Sequence, residues 1–378
     1  LVRSWLSFLS LAQFESRLPM DVESNEQYSS LAKTIGIALE RAIATGQEQE
    51  VQAAITQALE AATSEGADRV IESLKRDAPK MLAEQEKIRD GFETRLRKRW
   101  GKALDLFEMT LVSTQEAGNN FCAQHADKAA RENDIMFWAL VRLHARACQV
   151  ASEVLALLRG GYAIAAMARW RTIHEIAVTT TLIREHGADL AKRYLEHEVI
   201  ESAAAVRDYQ LYYTRLGYEP YDDGTVAELA ERRKVLLDRY GRDFDATYGW
   251  AGHAIGTACP NFRRLEQAAK LDHMRPHYRM ASHGIHSNPK GILFHLDSIG
   301  RESVLHAGAS NSGLADPGHA TLITLNLCTM LLLTMASNED TLLILKVLTR
   351  LEREAGEQFL SAHNALVKKE LRLQRRQK

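Results

Sequence analysis

The sequence predicts an all-α protein, a multi-helix bundle with an additional helical region at its N-terminal side. Only 7 prolines occur in 378 residues, which suits long helices because proline breaks a helix interior. Apolar residues recur at helical spacing over most of the chain, and no alternating strand pattern is evident. Hydrophobic residues make up 46% of the sequence, which is enough to bury a substantial core.

Turn residues between the apolar patterns predict where the helices begin and end. Two amphipathic helices are expected between residues 29 and 66, with Gly46 and Gly66 as C-terminal caps and Asp77 as the next N-cap. The segment 241–318, rich in glycine and histidine, is predicted to form short helices joined by ordered loops. The remaining long helices are predicted over 135–158, 162–186, 189–216, 223–240, 317–337 and 338–378.

These patterns divide the chain into three parts. Residues 1–19 are interpreted as a non-native or flexible extension, because Met20 offers a more natural start. Residues 20–115 form the helical N-terminal region, and residues 116–378 form the main helical bundle. The length alone favours two domains, or one domain with a helical extension.

Composition excludes several classes of protein. The 48 basic and 49 acidic residues give a net charge of -1, which argues against a dedicated duplex-DNA binder. The 4 cysteines lie far apart in the sequence, so neither a disulfide framework nor a thiolate zinc site is expected. The apolar run 5–12 is a poor signal peptide, and 320–337 is expected to be a buried helix. We therefore expect a cytoplasmic protein with no membrane partner.

The first polar motif is Arg169-Trp-Arg-Thr-Ile-His-Glu175, in the middle of a predicted helix. Arg171 and Glu175 are four residues apart, so they share a face and can pair. Arg169 and His174 are five residues apart, which places them on different sides of a regular helix. Two interpretations remain open: a charged network that holds helices in register, or a set of substrate-binding groups (Arg169, Arg171, His174, Glu175).

The second polar motif runs from Tyr278 to Pro289. Arg279 keeps its charge at every relevant pH, whereas histidine titrates near neutrality and can transfer protons. Such a pair suits a phosphodiester, since the Arg stabilises developing negative charge and the His moves a proton. The candidate catalytic residues are Arg279, His286 and His283, and the candidate substrate-binding residues here are Tyr278, Ser282 and Asn288. The alternative is that these side chains only cap helix ends and pair with neighbouring carboxylates.

Four histidines fall between residues 273 and 286, a density that a metal site would require. Only Asp272 accompanies them at a coordinating spacing, and neither Glu-x-x-His nor His-Glu-x-x-His occurs in the chain. No phosphate-binding loop or dinucleotide fingerprint is present either. The sequence therefore predicts neither a metal nor a cofactor.

Two basic clusters stand out against the neutral total charge. They are Arg95-Leu-Arg-Lys-Arg-Trp-Gly-Lys102 and the C-terminal segment from Lys368 to Lys378. Either cluster suits RNA phosphates by charge, although most charge runs are simply solvated helix faces.

Three segments resemble a bacterial domain family known only as family of unknown function number 5677. They are 169–175, Tyr248-Gly-Trp-Ala251 and 278–291. The resemblance covers roughly residues 130–340, and it brings no activity with it.

Two segments are also similar to HEPN helical bundles, many of which are ribonucleases of phage defence and toxin systems. Their members carry an Arg, then four to six residues, then a His, a spacing found in Arg169…His174 and Arg279…His286. The resemblance implies a metal-independent endoribonuclease that cleaves RNA at a homodimer interface, with a partner protein from the same system. The contrasting expectation is a non-catalytic helical scaffold or sensor module of a bacterial defence or stress system.

Overall fold

A computed structural model describes residues 36, 37, 44, 48–286, 289–293 and 308–377. These residues form helices joined by turns and loops, and no strand occurs among them, which confirms the predicted all-α class. By its internal contacts the chain falls into two compact units, Leu1–Arg89 and Asp90–Lys378. The boundary between the units follows Arg89, whereas the sequence-based division placed it after residue 115.

The α-helices are numbered here in chain order over the described residues. Short 3-10 turns at Arg242–Asp245, Asp272–Met274 and Thr334–Ala336 join some of them. The helices are α1 Glu48–Glu132, α2 Ile135–Arg159, α3 Ala163–His186, α4 Ala188–Glu196, α5 Glu198–Leu216, α6 Asp223–Tyr240, α7 Gly249–Gly252, α8 Phe262–Ala268, α9 Arg275–His283, α10 Pro289–Leu293, α11 Ala315–Leu333 and α12 Glu339–Gln377.

Two predicted helix boundaries are wrong. Gly66 and Asp77, expected to end one helix and begin another, both lie inside α1. A single glycine costs a helix only about 1 kcal/mol, and the neighbouring alanine, glutamate and leucine residues favour continuation. The predicted helix 189–216 is instead divided at His197, whose buried ring bonds through Nε2 to the Ala246 carbonyl at 3.0 Å. Gly46, the other predicted cap, lies outside the described residues.

The first unit contributes residues 48–89 of α1 to the described structure. None of its side chains whose burial is described is buried. In this stretch the sequence therefore forms helix by local preference and without a core of its own.

The core of the second unit lies where α2, α3, α11 and α12 pack on one another. Its largest fully buried side chains include Trp100, Phe107, Trp170 and Phe359. Alanines on the first turns of α3 are buried against neighbouring helices, because a small side chain allows two helix backbones to approach closely.

Helix α11 is the most apolar element. Within the described residues, only Ala315–Ala336 is long and apolar enough to cross a membrane by length and composition, and 50% of that window is buried inside the protein. The helix packs against α2, α3 and α12. Its buried threonines bond back to carbonyls four residues earlier, as Thr321 does to Pro317 at 2.7 Å, so their hydroxyls are satisfied inside the core.

Candidate functional site

Helix α3 directs its polar side chains to two different sides of the protein. Arg169 pairs with Glu153 of α2, and its Nη1 also donates to Thr172. His174 lies on the other side, where it faces Glu266 of α8. The expectation that Arg169 and His174 point in different directions is therefore met by the structure.

The buried half of the site is a three-residue network between α3, α8 and α9. The Nε2 atom of His174 lies 2.9 Å from Oε1 of Glu266, and Nη1 of Arg275 donates to Oε2 of the same carboxylate at 2.6 Å. The side chain of Glu266 is 0% exposed and that of His174 2%, whereas the Arg275 side chain is 28% exposed. Because an ionised carboxylate only accepts hydrogen bonds, Nε2 of His174 is the donor.

The protonation states in this network follow from burial. Burial, together with the positive charges of His273 and Arg275, lowers the pKa of His174 to about 4. Burial also raises the pKa of Glu266, and Arg275 opposes that rise. The Arg275 guanidinium therefore supplies the counter-charge that keeps the Glu266 carboxylate ionised inside the protein.

The outer half of the site joins α3 to α9 through one carboxylate oxygen. The Tyr278 hydroxyl donates to Oε1 of Glu175 at 2.6 Å, and Nε of Arg171 donates to the same atom at 3.0 Å. The predicted pairing of Arg171 with Glu175 is thus confirmed. Burial, followed by the bond to Glu175, raises the pKa of Tyr278, so its hydroxyl keeps its proton at neutral pH and acts as a donor.

Aromatic rings pack between the two halves. The Tyr278 ring lies 4.7 Å from Phe262 and 5.8 Å from His174, centroid to centroid. The Arg171 guanidinium carbon lies 4.7 Å from the centroid of that ring, and the Arg275 carbon lies 5.2 Å from it. Tyr278 thereby touches both charge networks, and a cation held near a ring face gains further stabilisation.

The rest of the second motif extends from this anchor towards the surface. Ser282 turns back on its own helix, with Oγ donating to the Tyr278 carbonyl at 2.8 Å. Arg279 and His286 are exposed, and neither side chain forms a hydrogen bond or ion pair within the described part of the chain. His283 is half-buried and lines a small cavity with Ile164 and Met167 of α3.

Arg279 and His286 lie on one side of the segment. Helix α9 ends at His283, but the backbone continues a helical turn, because the N–H of His286 donates to the Ser282 carbonyl at 3.2 Å. A separation of seven residues is about two helical turns, or roughly 10 Å along the axis. A phosphate held between the two positions is within reach of both side chains. Asn288, also assigned to this site by sequence, lies outside the described residues.

Sequence reasoning missed Glu266 and Arg275, which complete the buried network. Both lie in the glycine- and proline-rich segment predicted to hold short helices, where no helical repeat relates them to His174. A charged residue with no local partner is indistinguishable in sequence from a solvated one. Sequence reasoning also missed Phe262, which directly follows Asn261, the N-cap residue of α8.

Fold and site together define a class: an all-α protein whose second unit holds short α9 against α3 through an internal Arg–Glu–His–Tyr network. Residues 137–303 match the family described as "Family of unknown function (DUF5677)". The matched segment includes every residue of the two charge networks and both polar motifs. No curated protein and no solved structure matches the chain.

Proposed function

We propose that this protein is a metal-independent endoribonuclease whose reacting groups are Arg279 and His286. One observation carries the proposal: an exposed guanidinium and an exposed imidazole lie on one side of α9 and its final turn. Helix α9 is tied to α3 by Tyr278, which bonds Glu175, and to α8 by Arg275, which bonds Glu266. To position a substrate phosphate, a site needs an anchored backbone and side-chain ends that are accessible to the substrate.

The chemistry assigned to this pair is attack of a ribose 2′-hydroxyl on its own phosphate. His286 in its neutral form accepts the 2′-hydroxyl proton while the bond from O2′ to phosphorus forms. Arg279 stabilises the negative charge that develops on the phosphate oxygens. The bond from phosphorus to O5′ then breaks, and the leaving oxygen takes a proton from a second imidazole. The products are a 2′,3′-cyclic phosphate and a free 5′-hydroxyl.

His283 and His286 compete for these proton transfers, and exposure favours His286 as the base. His283 is half-buried against α3, whereas His286 is exposed. The second imidazole is then His283 or the His286 of another copy, as in the homodimer that the HEPN resemblance implies. In this proposal Arg171, His174 and Glu175 position α9 and do not touch RNA. Arg169, paired with Glu153 of α2, positions α3 itself.

A cleavage assay on total RNA and on a labelled RNA oligonucleotide tests the proposal. Wild-type protein should cleave RNA in the presence of EDTA and leave DNA of the same sequence intact, because DNA has no 2′-hydroxyl. Arg279→Ala and His286→Ala should each reduce the cleavage rate at least about 100-fold, the usual contribution of general acid–base or charge stabilisation.

Matched controls are Arg263→Ala and His253→Ala, since both side chains are exposed and lie outside the two motifs. They should cleave at the wild-type rate. Wild-type protein that leaves RNA intact, or cleavage that persists in both motif variants, would contradict the proposal. Far-UV circular dichroism establishes that each variant is folded.

The second candidate function is a non-catalytic helical scaffold or sensor module. It is favoured by exposed apolar side chains near the end of α5, where Leu211 is 68%, Tyr212 51% and Leu216 55% exposed. Exposed apolar clusters commonly contact a protein partner. In this alternative the module binds a partner protein of a bacterial defence or stress system in the cytoplasm, and RNA is not a substrate.

A further inference from the structure

The two basic clusters of the sequence meet in space, although about 270 residues separate them along the chain. In the second unit, Arg95, Lys98, Arg99 and Lys102 of α1 line one side of an open groove of about 820 Å³, and Lys369 of α12 lines the other. We call this feature the basic groove.

The basic groove continues along α12. A neighbouring depression of about 450 Å³ shares Ala365 and Lys369 with it and adds Lys368 and Arg372. Among the described residues, no aspartate or glutamate lines either space. The result is a continuous surface with seven positive side chains on a protein whose net charge is only -1.

In the part of the chain that the structure describes, none of the seven forms an ion pair with a carboxylate. Arg99 alone is engaged, through Nη1 and the Asn311 carbonyl at 3.5 Å. By contrast, Arg97 of the same basic cluster pairs with Asp105 at 2.7 Å. Unpaired cations held close together repel one another, and an external polyanion relieves that repulsion.

Buried and hydrogen-bonded residues beneath the basic groove connect it to α3. Trp100, fully buried, donates through Nε1 to the Asn311 carbonyl at 3.1 Å. The neighbouring Ser310 donates its N–H to the Gly161 carbonyl at 2.9 Å, directly before α3. Gly161 has φ +78°, and a Cβ there would lie 2.7 Å from the Ser310 carbonyl oxygen, so only glycine fits this junction.

The same end of α3 also meets the last turn of α9. A Cβ on Gly284 would lie 2.9 Å from Cγ2 of Ile164, so these two backbone segments are in close contact. Gly161 and Ile164 are three residues apart, roughly 5 Å along the helix. The basic groove and the segment that carries His283 and His286 therefore both adjoin the N-terminal end of α3.

We infer that the basic groove binds single-stranded RNA through its phosphates and delivers the strand to the end of α9. Within the described part of the chain no aromatic side chain lines the groove, so the described lining offers bases no stacking platform and recognition is independent of sequence. The inference depends on the proposed function for the identity of the polyanion. Its test measures binding alone, and so distinguishes failure of the groove from failure of the ribonuclease.

The probe is a fluorescein-labelled 20-nucleotide RNA of mixed sequence with 2′-O-methyl groups, which the proposed reaction cannot cleave. Affinity of the full chain is measured by anisotropy at several salt concentrations. The groove variant is Lys98→Glu/Lys102→Glu/Lys369→Glu. It should bind at least about tenfold more weakly than wild type, with a log–log salt slope smaller in magnitude by about 2, because each lost phosphate contact removes about 0.7 from the slope.

The matched control is Lys192→Glu/Arg232→Glu/Lys346→Glu, which changes three exposed cations outside the basic groove and alters net charge equally. It should retain wild-type affinity and slope. Equal weakening in both triple variants would overturn the inference, because it would show only a dependence on total charge. Binding of wild type to anionic phosphatidylglycerol vesicles but not to RNA would overturn it too.

The two proposals separate in the outcome. If RNA binding depends on the basic groove but unmodified RNA is not cleaved, the inference about the groove is supported and the proposed ribonuclease activity is contradicted. In the opposite case, the groove variant binds RNA with wild-type affinity, and cleavage still depends on Arg279 and His286. That result supports the ribonuclease and contradicts the inference about the basic groove.

Discussion

Among the described residues, Arg275 supplies the one arginine or lysine charge bonded to the buried Glu266 carboxylate, and replacing Arg275 by methionine removes it. Methionine keeps much of the side-chain volume, so the change acts mainly on charge. Glu266 then retains a single hydrogen-bond partner, His174, whose pKa is lowered to about 4 by burial and by the positive charges of His273 and Arg275. A neutral imidazole cannot offset a buried negative charge, so we expect the fold to lose stability.

The size of the loss follows from how deeply each partner lies. Removing one member of a fully buried ion pair costs about 3–5 kcal/mol. Glu266 is 0% exposed, but Arg275 is 28% exposed, so water already screens part of the interaction. We expect the free energy of unfolding to fall by about 2–3 kcal/mol at pH 7. For a chain of 378 residues, with an unfolding entropy of about 2.1 cal/mol/K per residue, that corresponds to a fall in Tm of roughly 2–4 °C.

The loss should depend on pH. Burial raises the pKa of Glu266, and Arg275 opposes that rise, so the pKa rises further in Arg275→Met. A carboxyl whose pKa is higher in the folded than in the unfolded protein stabilises the fold at low pH, and the contribution disappears as pH rises through the folded value. Arg275→Met should therefore be destabilised more at pH 8 than at pH 5.

Urea unfolding monitored by circular dichroism measures these differences. Glu266→Gln and the double variant Arg275→Met/Glu266→Gln complete a double-mutant cycle. The double variant should lose about 1–3 kcal/mol less stability than the sum of the losses in the two single variants. The matched control is Arg233→Met, which breaks a more exposed pair with Asp245 and should cost at most about 1 kcal/mol. Additive single losses, or a loss that is the same at pH 5 and pH 8, would refute the reasoning.

Three further predictions concern the second unit. Burial lowers the pKa of His144 from 6.5 to about 4. The neutral buried ring therefore contributes stability above pH 6.5, and this contribution is lost as pH falls to about 4. In His144→Gln the urea midpoint should depend less on pH between these values. Tyr278→Phe removes the bond to Glu175 at 2.6 Å and should cost about 1 kcal/mol in urea unfolding. Gly318→Ala places a methyl group against the Phe359 ring and should lower thermal stability by about 1–3 kcal/mol.

Two of these predictions have matched control variants. Gly101→Ala meets only the Arg97 side chain, at 3.5 Å, and should stabilise α1 by about 0.5–1 kcal/mol because alanine favours helix. Tyr218→Phe alters an exposed tyrosine and should leave the unfolding midpoint unchanged. A His144→Gln variant with the wild-type pH dependence would show that another group is responsible for it.

Periodic patterns in the sequence predicted most of the helices correctly. The predicted segments 135–158 and 162–186 correspond to α2 Ile135–Arg159 and α3 Ala163–His186. These helices have clear caps and a regular apolar repeat, and both signals are local. Boundaries that depended on glycine alone failed at Gly66, because a helix tolerates one glycine when its other neighbours favour helix.

The candidate site was predictable only where its partners share a helix. Arg171 and Glu175 are four residues apart, so their pairing follows from helix geometry. The partner of His174 is Glu266, which is 92 residues away, and nothing in the local sequence relates them. The chain reversal between α3 and α8 brings them together.

The all-α fold and the two polar motifs were accessible from the amino-acid sequence, because helix formation depends on patterns a few residues long. Tertiary packing decided which motif residues are internal and which are exposed. It placed Tyr278 and His174 inside, left Arg279 and His286 at the surface, and joined two distant basic clusters in one groove. The reason is that burial and convergence depend on contacts between helices far apart in the chain, which no local pattern encodes.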